Sequence, residues 1–436
     1  MRPSSLPYRI LLLTGVIFGL AWSGSATADL VTDWNGQAFE IAAAAGTSSG
    51  SLRGRAVAMV HAAMHDALNA IDPRYSVYAV TAPASPQASP EAAVLGAATG
   101  VLSRLFPTQA ALLDAARGRG LAALPDGEAT RSGVALGDQV AAEIVALRSA
   151  DKFEQSLRLE PYTPQSGPGA FQPPPPPPPD TVPVAVAPHI AQVTPFFLRS
   201  TAQFRAPGPP ALTSEAYTRD FNEVKTLGAK HSEARTAEQT AIAKFWEESN
   251  EFASWGRIAR PIAQVRGQNL WDNARLFTLL SMAIADTGIA VFETKYTYHF
   301  WRPVTAIRAA DTDGNEATVA DAGWEPLFTL ARHPDYTSGS GGTCTAAATI
   351  LASVFGDAVP FRTTSPTADP PGAVREYRSF SHAAQECSDS RVWAGNHFRT
   401  AVQHGEVQGR QVAQWALEHF LRPVSGTARS GAKTAQ

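Results

Sequence analysis

The sequence predicts an all-α protein. Three observations carry that prediction: the chain is rich in Ala and Leu, apolar residues recur at three- and four-residue steps over long stretches, and no run alternates as a half-buried strand would. At 436 residues it is long enough for one large core or two fused ones. The first clear helical period spans Gly54–Ile71, where Val57, Val60, Met64, Leu68 and Ile71 share a face. His61 and His65 sit one turn apart in it, followed by Asp66. Such a pair can grip a metal, but no third ligand is clearly placed and both imidazoles border the apolar stripe, so core histidines are expected.

Further helices are expected at Pro90–Leu105, Glu128–Ser149, Ser214–Leu227, Thr236–Asn250 and Ile258–Trp271. A long, mostly apolar helix should run from Asn273 to Trp301 and stop before Pro303, which biases its predecessor away from helix. Two more should start near Gly341 and near Ser390, the latter continuing through Leu417 or Phe420.

The organisation divides readily. Residues 1–28 have the pattern of a cleavable signal peptide: Arg2 and Arg9, an apolar stretch from Ile10 to Trp22, then Ala26-Thr27-Ala28. A periplasmic or secreted protein without a stable membrane span is the expectation. Residues 29–159 form an N-terminal helical region, and 160–209 a Pro-rich irregular linker holding the seven prolines Pro173–Pro179, a stiff polyproline II run. Residues 210–425 form a C-terminal helical bundle, and 426–436 a disordered tail. The formal charge is −3, or −5 once residues 1–28 are gone, and no block of like charges occurs, so nucleic acid is not an expected partner. Self-association is left open. Cys344 and Cys387 could form a disulfide in an oxidising compartment or remain two buried thiols.

The chemistry concentrates in three segments. Lys295 and Arg302 are seven residues apart, which on one helix places both on nearly the same face, among Tyr296, Tyr298, Phe300 and Trp301. Thr337-Ser338-Gly339-Ser340 is a small-residue turn leading into a helix, where backbone N–H groups point toward an anion. His333-Pro334-Asp335 precedes it as a rigid entrance with a titratable group. Arg391 and His397 are six residues apart and on one helix would share a broad face. Three cations, a Ser-Gly turn and an imidazole suit a tetrahedral oxyanion such as phosphate or vanadate.

The ordered pattern Lys295-x6-Arg302-Pro303, Ser338-Gly339, Ser390-Arg391-x5-His397 resembles the superfamily of vanadium haloperoxidases and type 2 phosphatidic acid phosphatases. The likeness runs from about Thr236 to Leu421, with Asn273–Arg308 and Ser379–Arg410 nearest the soluble bacterial haloperoxidase-like branch; Asp33-Trp34-Asn35 and the Ala58–Ile71 helix extend it weakly. It implies paired four-helix bundles. It also implies that Lys295, Arg302 and Arg391 bind equatorial oxygens, aided by Ser338 and the Gly339 N–H. His397 would be the axial vanadium ligand, or the phosphorylated nucleophile of a phosphatase.

The implied activity is halide oxidation by hydrogen peroxide with vanadate as cofactor, bromide or iodide before chloride, and a small organic acceptor for the product. The alternatives are an acid phosphatase, with a phosphate ester as substrate and no cofactor, and an oxyanion-binding homologue without turnover. Two positions depart from the family pattern. Ser340 stands where a histidine normally serves as acid and base, and a hydroxyl cannot shuttle protons near neutral pH. Ala401 stands where the phosphatases commonly place an acid that orients the last histidine. His333 is the nearest imidazole to Ser340 and the expected substitute for proton transfer.

Overall fold

The computed structural model describes residues 29–47, 49–156, 158–174, 182–248, 250–329 and 331–424. The signal-peptide expectation, prolines 175–179 and the tail 426–436 lie outside the described residues.

Helices α1 (Leu30–Ala44), α2 (Gly50–Ile71), α3 (Pro90–Leu105), α4 (Ala110–Ala122) and α5 (Glu128–Arg148) come first, then the single turn α6 (Phe153–Ser156). The second half holds α7 (Glu215–Leu227), α8 (Ala237–Phe245), α9 (Glu251–Val265), α10 (Leu270–Tyr298), α11 (Pro303–Arg308), α12 (Gly339–Phe355), α13 (Phe380–Trp393) and α14 (Arg399–His419). α1, α2, α3 and α5 pack as one four-helix group, and α10, α12, α13 and α14 as a second. α2 lies against α10, and one apolar cluster runs through both groups, from Val31 and Val60 to Leu280, Ile350 and Ala416. Paired helical bundles are the architecture, as the sequence predicts.

The imidazoles of α2 are core groups. His61 is fully buried, stacked on Phe277 and within 2.9 Å of Asn35 Nδ2, and burial pushes its pKa down to about 3. No cluster of three or more metal-ligating side chains exists among the described residues. α10 is long and apolar enough to cross a membrane by length and composition, and 89% of its apolar window is buried within the fold.

Several helix boundaries differ from expectation, each for a capping reason. Asn250 begins a helix rather than ending one, its side chain accepting the Ala253 N–H at 3.4 Å. The next chain reversal comes at Gly267, with φ +63°, and Asn269 then caps α10 by accepting from Trp271 and Asp272. Trp271 therefore belongs to α10, which stops at Tyr298 because His299 takes the left-handed conformation at φ 49°. Two antiparallel hairpins also occur, β1 (Leu159–Pro161) with β2 (Val184–Val186) and β3 (Phe361–Thr364) with β4 (Val374–Tyr377). Strands of three or four residues are too short to show alternation.

Residues 160–174 and 182–209 make contacts with the second group. Asp286, fully buried in α10, accepts N–H groups of Phe196, Phe197 and Leu198 at 2.7, 2.6 and 3.0 Å. Burial raises this carboxyl to about 6 while those three bonds oppose the rise. Further along, Ala170 bridges to Phe300, so the segment crosses the strand-like stretch that carries Arg302.

α12 and α14 meet through glycine. A Cβ on Gly409 would lie 1.9 Å from the Gly342 carbonyl oxygen, so Gly409→Ala must drive the two helices apart. Overpacking of this kind costs about 1–3 kcal/mol, and denaturant unfolding of the variant should show at least that loss.

Candidate functional site

α10, α12 and the α13–α14 junction converge on a cavity of about 250 Å³. Its polar lining includes Arg302, His333, Gly339, Ser340, Arg391 and His397, and its apolar lining Phe153, Ile190, Phe252, Ile289 and Phe292. Six of the eight site residues expected from the sequence thus border one space. Lys295 and Ser338 are fully buried and do not line it.

The geometry that joins them differs from the helical-face expectation. Lys295 is in the last turn of α10, but Arg302 lies beyond that helix as the residue before Pro303, at the N-cap of α11. Proline at the first helical position starts a helix there, with its fixed φ and missing donor both harmless. Likewise Arg391 is on α13 and His397 is on neither helix. Gly395 ends α13 at φ +77°, with Gly395 N–H bonded to Val392 O at 2.9 Å and Asn396 N–H to Arg391 O at 3.0 Å. That is the Schellman pattern, and it turns the chain so that His397 points back into the cavity. A Cβ at Gly395 would come within 2.5 Å of the Gly228 carbonyl oxygen, so the turn requires glycine on two counts.

Arg302 is the hub. Its Nε donates to His333 O at 2.9 Å, Nη1 to Asn396 O at 2.8 Å and Nη2 to His333 Nδ1 at 2.8 Å; Nη1 also lies 3.3 Å from His397 Nε2. A guanidinium only donates, so both ring nitrogens facing it must be acceptors. The proton of neutral His333 is therefore on Nε2, and that of neutral His397 on Nδ1. His397 Nδ1 lies 2.8 Å from Asp335 Oδ1, at ion-pair distance but off the line of a hydrogen bond. This arrangement leaves the Nε2 lone pair of His397 aimed at the cage.

Lys295 Nζ donates to Pro334 O at 2.9 Å and Asp335 O at 2.8 Å, which leaves one proton uncommitted. Arg391 donates to Ser390 Oγ at 2.9 Å, Trp246 O at 2.7 Å and Glu247 at 3.4 Å. Ser338 caps α12 by accepting the Gly341 N–H at 3.3 Å, and its own N–H is held by Ala401 O at 2.8 Å. Its hydroxyl proton remains available, as does the Gly339 N–H, a first-turn donor without a helical acceptor. A Cβ at Gly339 would meet no atom within 4 Å, so open space faces that donor. Cys344 of α12 and Cys387 of α13 are joined by a disulfide, which ties the Ser-Gly turn to the helix bearing Arg391.

Crowding of buried cations sets the electrostatics. Burial, then Arg302, holds the Lys295 ammonium well below its usual range, with Asp335 opposing. Burial lowers Arg302 to about 10 and Arg391 likewise falls below its ordinary value. His397 and His333 are pushed well below theirs, by burial first and Arg302 second. Burial lifts Asp335 to about 7, against the pull of Arg302 and Lys295. Two neutral imidazoles among three cations form a pocket whose energy falls when an anion enters.

Two functional groups escaped the sequence. Asp335 faces His397, the orienting place that Ala401 cannot fill; its signal was its position just before the Ser-Gly turn. Glu251 lines the cavity and accepts the Ser340 hydroxyl at 2.7 Å, from 89 residues away with no local motif to mark it.

Known proteins share this sequence region and this fold. Residues 275–426 match the family model of the VCPO second helical-bundle domain. The vanadium chloroperoxidase of Curvularia inaequalis is 26% identical over 344 residues, covering 63% of this chain; the match spans 56% of that protein's length. Among solved structures, the first bacterial vanadium-dependent iodoperoxidase superposes with a TM-score of 0.74 at 26% identity, covering 92% of this chain and 98% of that one. A holo bacterial vanadium-dependent chloroperoxidase shares the fold, with a TM-score of 0.68 at 21% identity over 85% of this chain and 91% of the other. The donor set fits the group those names imply: three buried cations, a hydroxyl, a free N–H facing open space and an imidazole with its lone pair turned inward. Its second bundle therefore resembles the VCPO second helical-bundle domain, and its overall fold is that of the bacterial vanadium-dependent haloperoxidases of known structure.

Proposed function

We propose that the protein is an exported vanadate-dependent haloperoxidase that oxidises bromide or iodide with hydrogen peroxide and passes the product to a small organic acceptor. The observation that carries this reading is the tautomer that Arg302 imposes on His397: the unprotonated Nε2 faces that buried cation. Bound vanadate would supply Lewis acidity toward peroxide. Lys295, Arg302 and Arg391 neutralise oxyanion charge, Ser338 and the Gly339 N–H orient its oxygens, and His397 offers the one neutral nitrogen ligand. Asp335 holds the Nδ1 side of that ring. The apolar side chains in the cavity lining support an organic acceptor held there rather than in bulk water.

His333 is restricted to donation, since its Nδ1 is taken by Arg302. We place it as a proton donor through Nε2 and as a brace for Arg302. His333→Ala should then lower turnover, and unchanged turnover would remove His333 from the scheme.

A second reading has a specific observation behind it. The Asp335–His397 contact resembles what a phosphatase uses to orient a histidine nucleophile, so the same cage could pass phosphate through His397. Assays of peroxide-dependent bromide and iodide oxidation, with and without vanadate, beside phosphomonoester hydrolysis separate the two. Vanadate-dependent oxidation is expected; hydrolysis that vanadate inhibits would favour the phosphatase, and silence in both would leave an oxyanion-binding protein.

Two further outcomes are expected. Ser340→His should raise kcat for bromide, by about 100-fold or more if the imidazole is positioned as a general acid and base. Affinity for inorganic phosphate should decline with rising pH well before 10.5, where a free lysine titrates, because the empty cage holds Lys295 below that value. The sign follows from binding: the anion favours the charged ammonium, so it binds tightest below the depressed value and must pull in a proton above it. Calorimetric titration across pH reads this directly.

A further inference from the structure

The Ser340 position lacks an imidazole, but it does not lack a titratable partner. Ser340 follows Gly339 in the first turn of α12, and its Oγ donates to Glu251 Oε1 at 2.7 Å. Glu251 is the first residue of α9, fixed there by the Asn250 cap, and both side chains border the cavity that holds Arg302, Arg391 and His397. Among the described residues no other carboxylate lines that space. Resting on the haloperoxidase reading, we propose that Ser340 and Glu251 form a two-residue proton relay, with the hydroxyl contacting peroxide and the carboxylate behind it storing the proton.

The relay balances. As peroxide binds, its O–H proton passes to Ser340 Oγ while the serine proton moves to Glu251 Oε1, giving a neutral carboxyl. When the halide delivers two electrons to one peroxide oxygen, the O–O bond breaks and the other oxygen leaves as hydroxide. The carboxyl proton then returns through Ser340 to make water. Overall, halide, hydrogen peroxide and one proton give hypohalous acid and water, with the final proton drawn from solvent. A serine alone cannot do this, since its hydroxyl neither gains nor loses a proton near neutrality, but it can conduct one to a group that does.

The charges around Glu251 suit such a store. Glu247 and Glu248 from the α8–α9 junction and Arg391 from α13 all interact with it electrostatically. Arg257 pairs with Glu248, and the neutral imidazoles of His333 and His397 share the cavity. An oxyanion arriving beside this acidic group adds negative charge, which favours proton uptake on binding.

Glu251→Gln is the informative change, because glutamine can still accept the Ser340 hydrogen bond but cannot store a proton. Calorimetry with inorganic vanadate, in buffers of different ionisation heat from about pH 5 to about pH 8, counts protons taken up per anion bound. Wild type should take up more than Glu251→Gln, by up to one proton, and Glu251→Ala should show the same deficit if the glutamine variant does not fold. In the halide assay kcat should drop about 100-fold or more and lose its acidic-side pH dependence. An unchanged proton count together with an unchanged pH profile would overturn the relay. Absence of halide oxidation in wild type would sink the haloperoxidase reading instead, while the proton count still reports on Glu251.

Discussion

Replacing Arg302 with alanine should weaken oxyanion binding by between about 30-fold and about 4,000-fold. The guanidinium is almost fully buried and reaches four acceptors: the carbonyls of His333 and Asn396 and a ring nitrogen each of His333 and His397. Truncating one member of such a buried charged network costs about 2–5 kcal/mol, much of it from partners left unpaired. Both imidazoles would also lose the donor that fixes their tautomers, so His397 could turn its protonated nitrogen toward the cage. Arg302→Lys keeps the charge but cannot span four acceptors, and should fall between wild type and alanine. Calorimetric titration with inorganic phosphate measures all three; equal affinities would show that Arg302 is a packing residue.

The second large effect is on stability. The Cys344–Cys387 bridge closes a segment with a sequence separation of 43, and both sulfurs are buried. On the chain-entropy account, a loop of that length stabilises the folded state by about 4 kcal/mol. Because the bridge joins the helix carrying the Ser-Gly turn to the helix carrying Arg391, its loss should loosen the cage as well as the fold. The Cys344→Ala/Cys387→Ala double variant should unfold at markedly lower denaturant, with phosphate affinity reduced. A shift of less than about 1 kcal/mol would mean that packing around Cys344 already holds the helices together.

The sequence carried the cage because each segment keeps its chemistry in a few adjacent residues. Lys295, the Ser338-Gly339 turn and Arg391 all stand on or at the ends of helices whose period is plain, and the paired bundles are what the resemblance implies. What the helical wheel could not supply was the route between segments. Arg302 reaches the cage because Pro303 opens a new helix, and His397 because Gly395 closes one; both stop signals are single residues whose effect is a change of direction. Asp335 and Glu251 were hidden for a different reason. Each faces its partner across long stretches of chain, 62 positions for Asp335 and His397 and 89 for Glu251 and Ser340, so only tertiary packing brings the pairs together. On the proposed function, the two departures from the family pattern are answered at such distances. Asp335 stands opposite His397 where Ala401 is silent, and Glu251 stands behind Ser340.

The central claim is that this buried cage holds vanadate with His397 as its nitrogen ligand. A crystal structure of the protein soaked with orthovanadate tests that most directly. The account predicts vanadium bonded to His397 Nε2, its oxygens shared among Lys295, Arg302, Arg391, Ser338 and the Gly339 N–H. Density for vanadate elsewhere on the molecule, with the cage empty or His397 turned away at saturating concentration, would contradict it.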